Sequence, residues 1–337
     1  MSAMTNTHAT NLRGTQSGKT FDGLLRVVGR TQEADDVVSL ELAAADPDVE
    51  LPSWDPGAHI DVVLGNGLVR QYSLTGDPAV QSHWRIGILC DAESRGGSKW
   101  IHENAQQNTT ITGRGPRNNF PLLAAPRYLF LAGGIGITPM LPMIRAAATQ
   151  GSEWSLHYGG RTRSSMAFLD EITSLKTDSG RVAVHPRDEE GPLDLEALLG
   201  IPEPETLVYC CGPTRLIEAT ERLCREWRPG SLHVERFAAT PSITGTETNT
   251  TVEVVCDKSG VTLEVPPQLS ILEAVENAGL DVMSSCTEGI CGSCETRVLS
   301  GEPDHRDSLL TDEERESGET MLICVSRALS GRLVLDL

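Results

Sequence analysis

A four-cysteine pattern in the last quarter of the chain constrains its fold more than any other feature. Three of the cysteines lie in one short loop with the spacing C-x4-C-x2-C, and a fourth follows 30 residues later. This is the plant-type spacing for a 2Fe-2S cluster, in which four thiolates hold two irons. The predicted cluster ligands are Cys286, Cys291, Cys294 and Cys324.

A zinc site is the alternative interpretation of these cysteines. Zinc usually takes two separated C-x2-C pairs, not three cysteines from one loop, so the spacing favours the iron–sulfur cluster. Gly289 and Gly292 lie within the loop, where their backbone can adopt positive φ and come close to the inorganic sulfides. The other five of the nine cysteines show no spacing typical of a disulfide framework.

Length and charge narrow the class of protein further. A chain of 337 residues is long enough for two or three domains, each with its own core. It has no run of 18 apolar residues, and residues 1–20 are polar, which predicts a disordered tail on a cytoplasmic protein. The net charge of −19 argues against nucleic acid and against an anionic membrane as partners.

The negative charge is concentrated around the cysteine pattern. Residues 251–337 contain 17 acidic and 6 basic residues, a net charge of −11. This excess is either an ordinary solvated face or a surface that steers a basic partner towards the cluster. Glu313 and Glu314, ahead of Cys324, are candidates for that surface.

Hydrophobic patterning divides the chain into three folded segments. Short alternating runs separated by Pro and Gly over residues 21–122 predict an antiparallel barrel or sandwich. Strands alternating with helices over residues 123–237 predict a parallel sheet covered by helices. Residues 238–250 are rich in Thr, Ser and Gly and predict a linker. Residues 251–337 predict a small α+β module that carries the cysteine loop.

A glycine-rich loop, residues 131–140, falls between a predicted strand and a predicted helix. It lets the backbone approach a phosphate at the helix N-terminus, where Thr138 is the predicted N-cap and Pro139 the first helical residue. It lacks the G-x-G-x-x-G pattern, so a plain tight turn is the alternative. A later strand ends in Cys210-Cys211-Gly-Pro, at the edge where open α/β sheets bind ligands. Cys211 there could border a reacting ring or be an inert buried thiol.

Two further motifs lie in the first segment. Arg70-Gln-Tyr-Ser73 is predicted to be on a strand, with Arg70 and Tyr72 on one face. Arginine suits a phosphate, tyrosine offers a flat stacking surface, and serine can hydrogen-bond a ring nitrogen. The Gly96-Gly97-Ser98 turn is a second candidate phosphate loop, with a helix expected to begin near Lys99. An ordinary half-exposed strand and an ordinary loop are the alternatives.

In this order, these motifs resemble the phthalate dioxygenase reductase type of iron–sulfur flavoprotein, which includes the reductases of vanillate demethylase-like Rieske oxygenases. The resemblance runs from about Phe21 to Leu337. It implies a multidomain α+β protein with three domains after the tail. They are an antiparallel Greek-key flavin-binding β-barrel (21–122), an α/β parallel-sheet nicotinamide-binding domain (123–237) and, beyond the linker (238–250), a C-terminal β-grasp 2Fe-2S ferredoxin domain (251–337).

The resemblance also implies roles for individual residues. It implies that Ser73 lies near the reactive N5 of the flavin and that Phe237, in Glu235-Arg-Phe237, packs near the ring. The implied catalytic residues are Ser73, Cys211, Glu235 and Phe237. Asn119 departs from the glutamate expected in Arg-Asn-Glu-Phe, and we assign it no role. The implied cofactor-binding residues are Arg70, Gln71, Tyr72, Ser73, Gly96, Gly97, Ser98, Gly133, Gly134, Gly136, Thr138, Cys211, Gly212, Pro213 and Phe237.

The implied function is an electron transfer chain. A nicotinamide gives two electrons as a hydride and a 2Fe-2S cluster accepts one, so a flavin has to stand between them. We expect a monomeric NADH-dependent reductase that carries FMN in preference to FAD, with NADPH the less favoured donor. Its expected acceptor is a terminal oxygenase of the Rieske type. The alternatives are a reductase for a cytochrome P450 and a redox-sensing interaction protein.

Overall fold

The computed structural model describes residues 20–65, 67–91, 96–176, 178–238 and 250–337. The predicted tail and linker fall almost entirely outside these ranges. Three main sheets follow one another along the chain, and each lies within one of the predicted domain ranges, although the boundaries themselves stay predictions. No helix in the described part of the chain has the length and apolar character needed to cross a membrane.

The first sheet is a six-stranded antiparallel barrel with the order β4-β3-β6-β1-β2-β5. A bridge between Leu74 and Ile86 joins the end of β4 to β5 and closes it. Alternate apolar side chains point inward and form its core, with Trp84 and Leu40 fully buried. Its elements are β1 (Phe21–Ala34), β2 (Val37–Ala44), β3 (His59–Val63), β4 (Val69–Ser73), β5 (Trp84–Leu89), α1 (Gly97–Asn104) and β6 (Thr110–Arg117).

The second sheet has five parallel strands in the order β11-β10-β7-β8-β9. Its central strand is apolar on both faces: Tyr128 and Phe130 pack under one layer of helix, while Leu129 and Leu131 pack under another. Its elements are β7 (Arg127–Gly133), α2 (Ile137–Thr149), β8 (Glu153–Gly160), α3 (Leu169–Ser174), β9 (Gly180–Pro186), α4 (Arg187–Glu190), α5 (Leu195–Leu199), β10 (Thr206–Cys211), α6 (Thr214–Leu223) and β11 (Leu232–Glu235).

The third unit is a mixed five-stranded sheet, β13-β12-β18-β14-β16, with a separate β15-β17 ribbon. Its first helix is fixed by a capping box, in which Ser270 accepts from the Glu273 amide and Glu273 accepts from the Ser270 amide. The elements are β12 (Val252–Cys256), β13 (Val261–Val265), α7 (Ile271–Asn277), β14 (Glu295–Ser300), β15 (Pro303–Asp304), α8 (Asp312–Ser317), β16 (Thr320–Leu322), β17 (Arg327–Ala328) and β18 (Arg332–Leu335).

The barrel packs directly against the parallel sheet. A Cβ on Gly87 of β5 would lie 2.8 Å from Cγ2 of Thr138 and 3.2 Å from the Phe168 ring, so only glycine allows this approach. Beside it, the Glu171 carboxylate accepts hydrogen bonds from Arg85 of the barrel and Arg145 of α2. These contacts fix the barrel against the edge of the sheet where its strands end.

Two predicted helix starts are displaced. Thr138 is not the N-cap of α2, because a 3₁₀ turn, Gly134–Gly136, runs straight into the helix and places Gly136 at the cap. The Thr138 hydroxyl donates instead to the Ile135 carbonyl oxygen, at 2.9 Å. Helix α1 begins at Gly97, two residues before the expected start, after Gly96 with φ of 86°.

Candidate functional site

The four predicted cluster ligands come together in the structure, and all are buried. Gly289 and Gly292 both have φ of 71°, as expected for the tight turns of the loop. The thiols influence one another's pKa as two pairs, Cys286 with Cys291 and Cys294 with Cys324. The hydrogen bond from Cys286 lowers the pKa of the Cys291 thiol to about 5.

This pairing matches a two-iron cluster in which each iron takes two thiolates. A single zinc ion would instead need its ligands around one point. Backbone amides already point at the sulfurs, with Glu288 donating to Cys286 Sγ and Ser293 to Cys291 Sγ. Such hydrogen bonds tune the potential of a cluster.

The two predicted flavin motifs lie against each other. A Cβ on Gly97, at the start of α1, would lie 2.6 Å from Nε of Arg70, so this guanidinium rests directly on the glycine turn. Its Nη1 donates to the Val69 carbonyl, whereas its Nη2 is buried and has no partner. A buried cationic donor beside a helix N-terminus fits a phosphate. Burial also raises the pKa of Tyr72, which keeps its hydroxyl neutral.

The glycine-rich loop after β7 and the turn after β10 are also in contact. A Cβ on Gly136 would lie 2.2 Å from the Cys211 carbonyl oxygen, and one on Gly133 would lie 2.7 Å from Cδ of Pro213. The loop therefore requires glycine at both positions. Because parallel strands β7 and β10 are neighbours, their ends present this paired turn at one edge of the sheet. The arrangement fits a nucleotide phosphate near Gly134 and the helix N-terminus.

Barrel and sheet meet at Ser73 and Glu235. The Ser73 hydroxyl donates to Glu235 Oε2 at 3.4 Å, and Glu235 is the register partner of Cys211 across β11 and β10. Loss of solvent around the Glu235 carboxyl raises its pKa to about 8. The hydrogen bond from Ser73 acts in the opposite direction and is the smaller effect. Burial and then the nearby Glu235 raise the pKa of Cys211, so its thiol stays protonated and is a poor nucleophile.

Phe237 follows Glu235 and is 40% exposed, a large fraction for a phenylalanine. An exposed ring two residues after Glu235 is consistent with the predicted packing on a flavin. Gln71 differs from its neighbours, since its amide donates to Asp61 Oδ1 at 3.0 Å and so lies on the other side of β4 from Arg70. This hydrogen bond ties β4 to β3, and the predicted contact of Gln71 with the cofactor stays a prediction.

Sequence reasoning missed two residues next to the cluster loop. Asn119 Nδ2 donates to the Cys291 carbonyl oxygen at 2.7 Å. Ser285, one residue before Cys286, donates to Asp61 Oδ1 at 2.8 Å. The departure of Asn119 from the expected glutamate was the only signal in the sequence. A carboxylate there could not donate to a carbonyl, whereas the asparagine amide can.

Comparison with known proteins agrees with this geometry. The model for the oxidoreductase NAD-binding domain matches residues 130–222, and that for the 2Fe-2S iron–sulfur cluster binding domain matches residues 254–329. Phenoxybenzoate dioxygenase subunit beta of Ectopseudomonas oleovorans is 42% identical over 93% of this chain and 97% of its own. Phthalate dioxygenase reductase of Burkholderia cepacia is 38% identical over 94% of this chain and 98% of its own.

The chain belongs to the phthalate dioxygenase reductase family. As a member of this family it is an NAD(P)H-dependent iron–sulfur flavoprotein oxidoreductase. A solved structure, an intact type IV self-sufficient cytochrome P450 monooxygenase, is 42% identical with a TM-score of 0.86. The match covers 94% of this chain but 41% of that longer one. The three-part fold expected from the resemblance is confirmed.

Proposed function

We propose that this reductase passes electrons from NADH through FMN and its 2Fe-2S cluster to a separate terminal oxygenase of the Rieske type. The hydrogen bond between Ser73 and Glu235 carries the proposal, because it joins the flavin strand of the barrel to the sheet edge that presents Cys211. Flavin and nicotinamide would therefore meet at this junction. A flavin held there would accept the hydride as an electron pair and release electrons singly.

FMN is the proposed flavin because the barrel forms a compact site that fits a single phosphate group. It consists of the unpaired, buried Nη2 of Arg70, the close approach of Gly97 and the N-terminus of α1. A terminal phosphate suits such a site. Flavin extraction after denaturation tests the choice: released FMN supports it, and released FAD would overturn it.

NADH is the proposed donor. Two arginines, Arg161 and Arg163, follow β8 where a 2′-phosphate could bind. The Arg163 guanidinium is already held by Glu189 through two hydrogen bonds, at 3.2 and 2.7 Å. The neighbouring Asp188 and Glu190 make this edge acidic, which disfavours a second phosphate.

The proposed partner rests on the relatives, whose names include dioxygenase reductases and the vanillate O-demethylase oxidoreductase. A cytochrome P450 is the second candidate, favoured by the 42% identity with the reductase-like part of the self-sufficient P450. A monomeric state and a cytoplasmic location stay predictions. Light scattering of the purified protein and cell fractionation test them.

The deciding experiment combines an absorption spectrum of the purified protein with assays of two electron acceptors. The purified protein is expected to show flavin and 2Fe-2S absorption in equal amounts and to reduce cytochrome c with NADH. Reconstitution with a Rieske oxygenase and, separately, with a P450 from the same genome then identifies the acceptor. Faster turnover of the P450 would replace the Rieske proposal, and failure to reduce any acceptor would favour the redox-sensing interpretation.

A further inference from the structure

The barrel and the cluster loop are joined by two side-chain hydrogen bonds. Ser285 donates to Asp61 at 2.8 Å, and Asn119 donates to the Cys291 carbonyl at 2.7 Å. In both cases the loop partner is a cluster ligand or the residue next to one. The cluster would therefore be tied to the barrel through the backbone that carries its ligands.

The barrel end of the first contact is a buried carboxylate. Asp61 is 2% exposed, and its Oδ1 accepts from Ser285, from Arg117 Nη2 at 2.7 Å and from Gln71 Nε2 at 3.0 Å. Arg117 and Gln71 belong to the two strands that flank β3, so they fix the carboxylate from both sides. Charge-assisted hydrogen bonds at these lengths are among the stronger polar contacts in a protein.

The other end of this network is the flavin strand itself. Gln71 lies between Arg70 and Tyr72, so Gln71, Asp61 and Ser285 form a continuous polar connection from β4 to Cys286. The second contact starts from Asn119, just after β6, and reaches the same loop five residues further along. Because these two hydrogen bonds contact the loop at separate positions, the loop cannot rotate about either bond.

We propose that Asp61, Ser285 and Asn119 are positioning residues that hold the cluster loop against the flavin strand and so set the rate of flavin-to-cluster electron transfer. This inference rests on the flavin lying along Arg70–Ser73, as proposed above. Positioning matters because the rate of electron transfer falls as the flavin and the cluster move apart, so a loop that is held in place keeps that rate high.

Ser285→Ala with Asn119→Ala is the test variant, because removing Asp61 would leave Arg117 without its buried partner and endanger folding. The matched control is Ser284→Ala with Asn118→Ala. Ser284 bonds Glu276 within the ferredoxin unit, and Asn118 bonds Pro56 and Phe120 within the barrel, so neither crosses the junction. Ser285→Thr keeps the hydroxyl and serves as the conservative variant.

Stopped-flow absorbance separates the two electron-transfer steps. In the test variant, flavin reduction by NADH is expected to be unchanged while cluster reduction slows roughly tenfold; the control and Ser285→Thr are expected to behave like the parent protein. Hydrogen–deuterium exchange of the holoprotein adds a structural readout, with faster exchange over residues 282–291 in the test variant alone. The midpoint potential of the cluster is expected to stay constant.

Each contrary result overturns the inference. Unchanged cluster reduction would show that the contacts do not set the rate, and a shifted midpoint potential with unchanged exchange would show that Asn119 tunes the cluster without positioning it. If the flavin does not lie along Arg70–Ser73, the result is different, because Arg70→Ala would then retain its full flavin content. The two failures are therefore distinguishable.

Discussion

Ser73 and Glu235 are 162 residues apart in the chain, yet the hydroxyl of one hydrogen-bonds the carboxylate of the other at 3.4 Å. One is the last residue of the flavin strand β4, and the other is the last residue of β11 beside Cys211. The contact joins the barrel to the parallel sheet. It also places a titratable group with a raised pKa at the junction where we propose that hydride transfer occurs.

Glu235 is expected to give hydride transfer a pH dependence. Because its pKa is about 8, the carboxyl is neutral at pH 7 and ionised above pH 8. Loss of hydride leaves a positive nicotinamide ring, which a nearby carboxylate stabilises. We therefore expect the rate of flavin reduction by NADH to rise as pH increases through about 8, measured in single-turnover stopped flow. Glu235→Gln is expected to remove this inflection, and an inflection that persists in the variant would assign it to another group.

The same carboxyl is expected to make stability fall as pH rises. The folded pKa of about 8 exceeds the ordinary value of 4.5, so between these values the unfolded chain loses a proton that the folded protein keeps. Denaturant unfolding from pH 5 to 8 is expected to show Glu235→Gln gaining stability relative to the parent. Because one proton is involved, the slope should not exceed about 1.4 kcal/mol per pH unit. A difference that is constant with pH would contradict the raised pKa.

Cys291→Ser is expected to separate the two redox centres. A hydroxyl is a poorer iron ligand than a thiolate, so the variant should lose iron and sulfide while keeping its flavin. NADH-driven reduction of ferricyanide should then survive, and reduction of cytochrome c should collapse. Cys256→Ser, at a buried cysteine of the same unit that is not a ligand, is the control and should keep its iron. Cytochrome c reduction without iron would mean that electrons leave from the flavin.

Glu189→Gln is expected to weaken the preference for NADH. The change removes one of the two acceptors that hold Arg163 and one negative charge near the predicted 2′-phosphate position. The ratio of kcat/KM for NADPH to that for NADH should rise roughly fivefold, as for one new charge-assisted contact. In an Arg163→Gln background the same change should have much less effect. Equal gains in both backgrounds would show that Arg163 does not contact the phosphate.

Docking of the acceptor is expected to depend on the acidic surface of the ferredoxin unit. The structure refines the choice of residues: Glu314 caps its own helix by accepting from the Thr311 amide, while Glu313 and Glu316 are exposed. Glu313→Lys with Glu316→Lys should slow acceptor reduction roughly tenfold at low salt. Salt raised from about 50 to 500 mM should slow the parent protein similarly, because exposed charges are then screened. An acceptor rate insensitive to both would indicate apolar docking.

Much of this architecture could be predicted because its signals are local. The cysteine spacing predicts the cluster ligands, and the strand-to-helix alternation predicts the parallel sheet. Strand β9 gives only a weak signal in the sequence, because its alternation is poor and most of its residues are half-buried. The tie between Asn119 and Cys291 could not be predicted, since it joins residues 172 apart through tertiary packing. Two helix starts also differ from the prediction. Gly136 and not Thr138 is the N-cap of α2, and α1 begins at Gly97 and not near Lys99.

The close packing of Gly87 against Thr138 and Phe168 bears on how such reductases can be recombined. Any side chain at position 87 would push the barrel away from the nucleotide sheet, so these two units have to be inherited or exchanged together. The ferredoxin unit is attached differently, through side-chain hydrogen bonds such as those of Asn119 and Ser285. Two or three matched polar substitutions could transfer it to another barrel. The ferredoxin unit, which delivers electrons, is thus a replaceable module. The barrel and the parallel sheet, which accept the hydride, form a fixed unit.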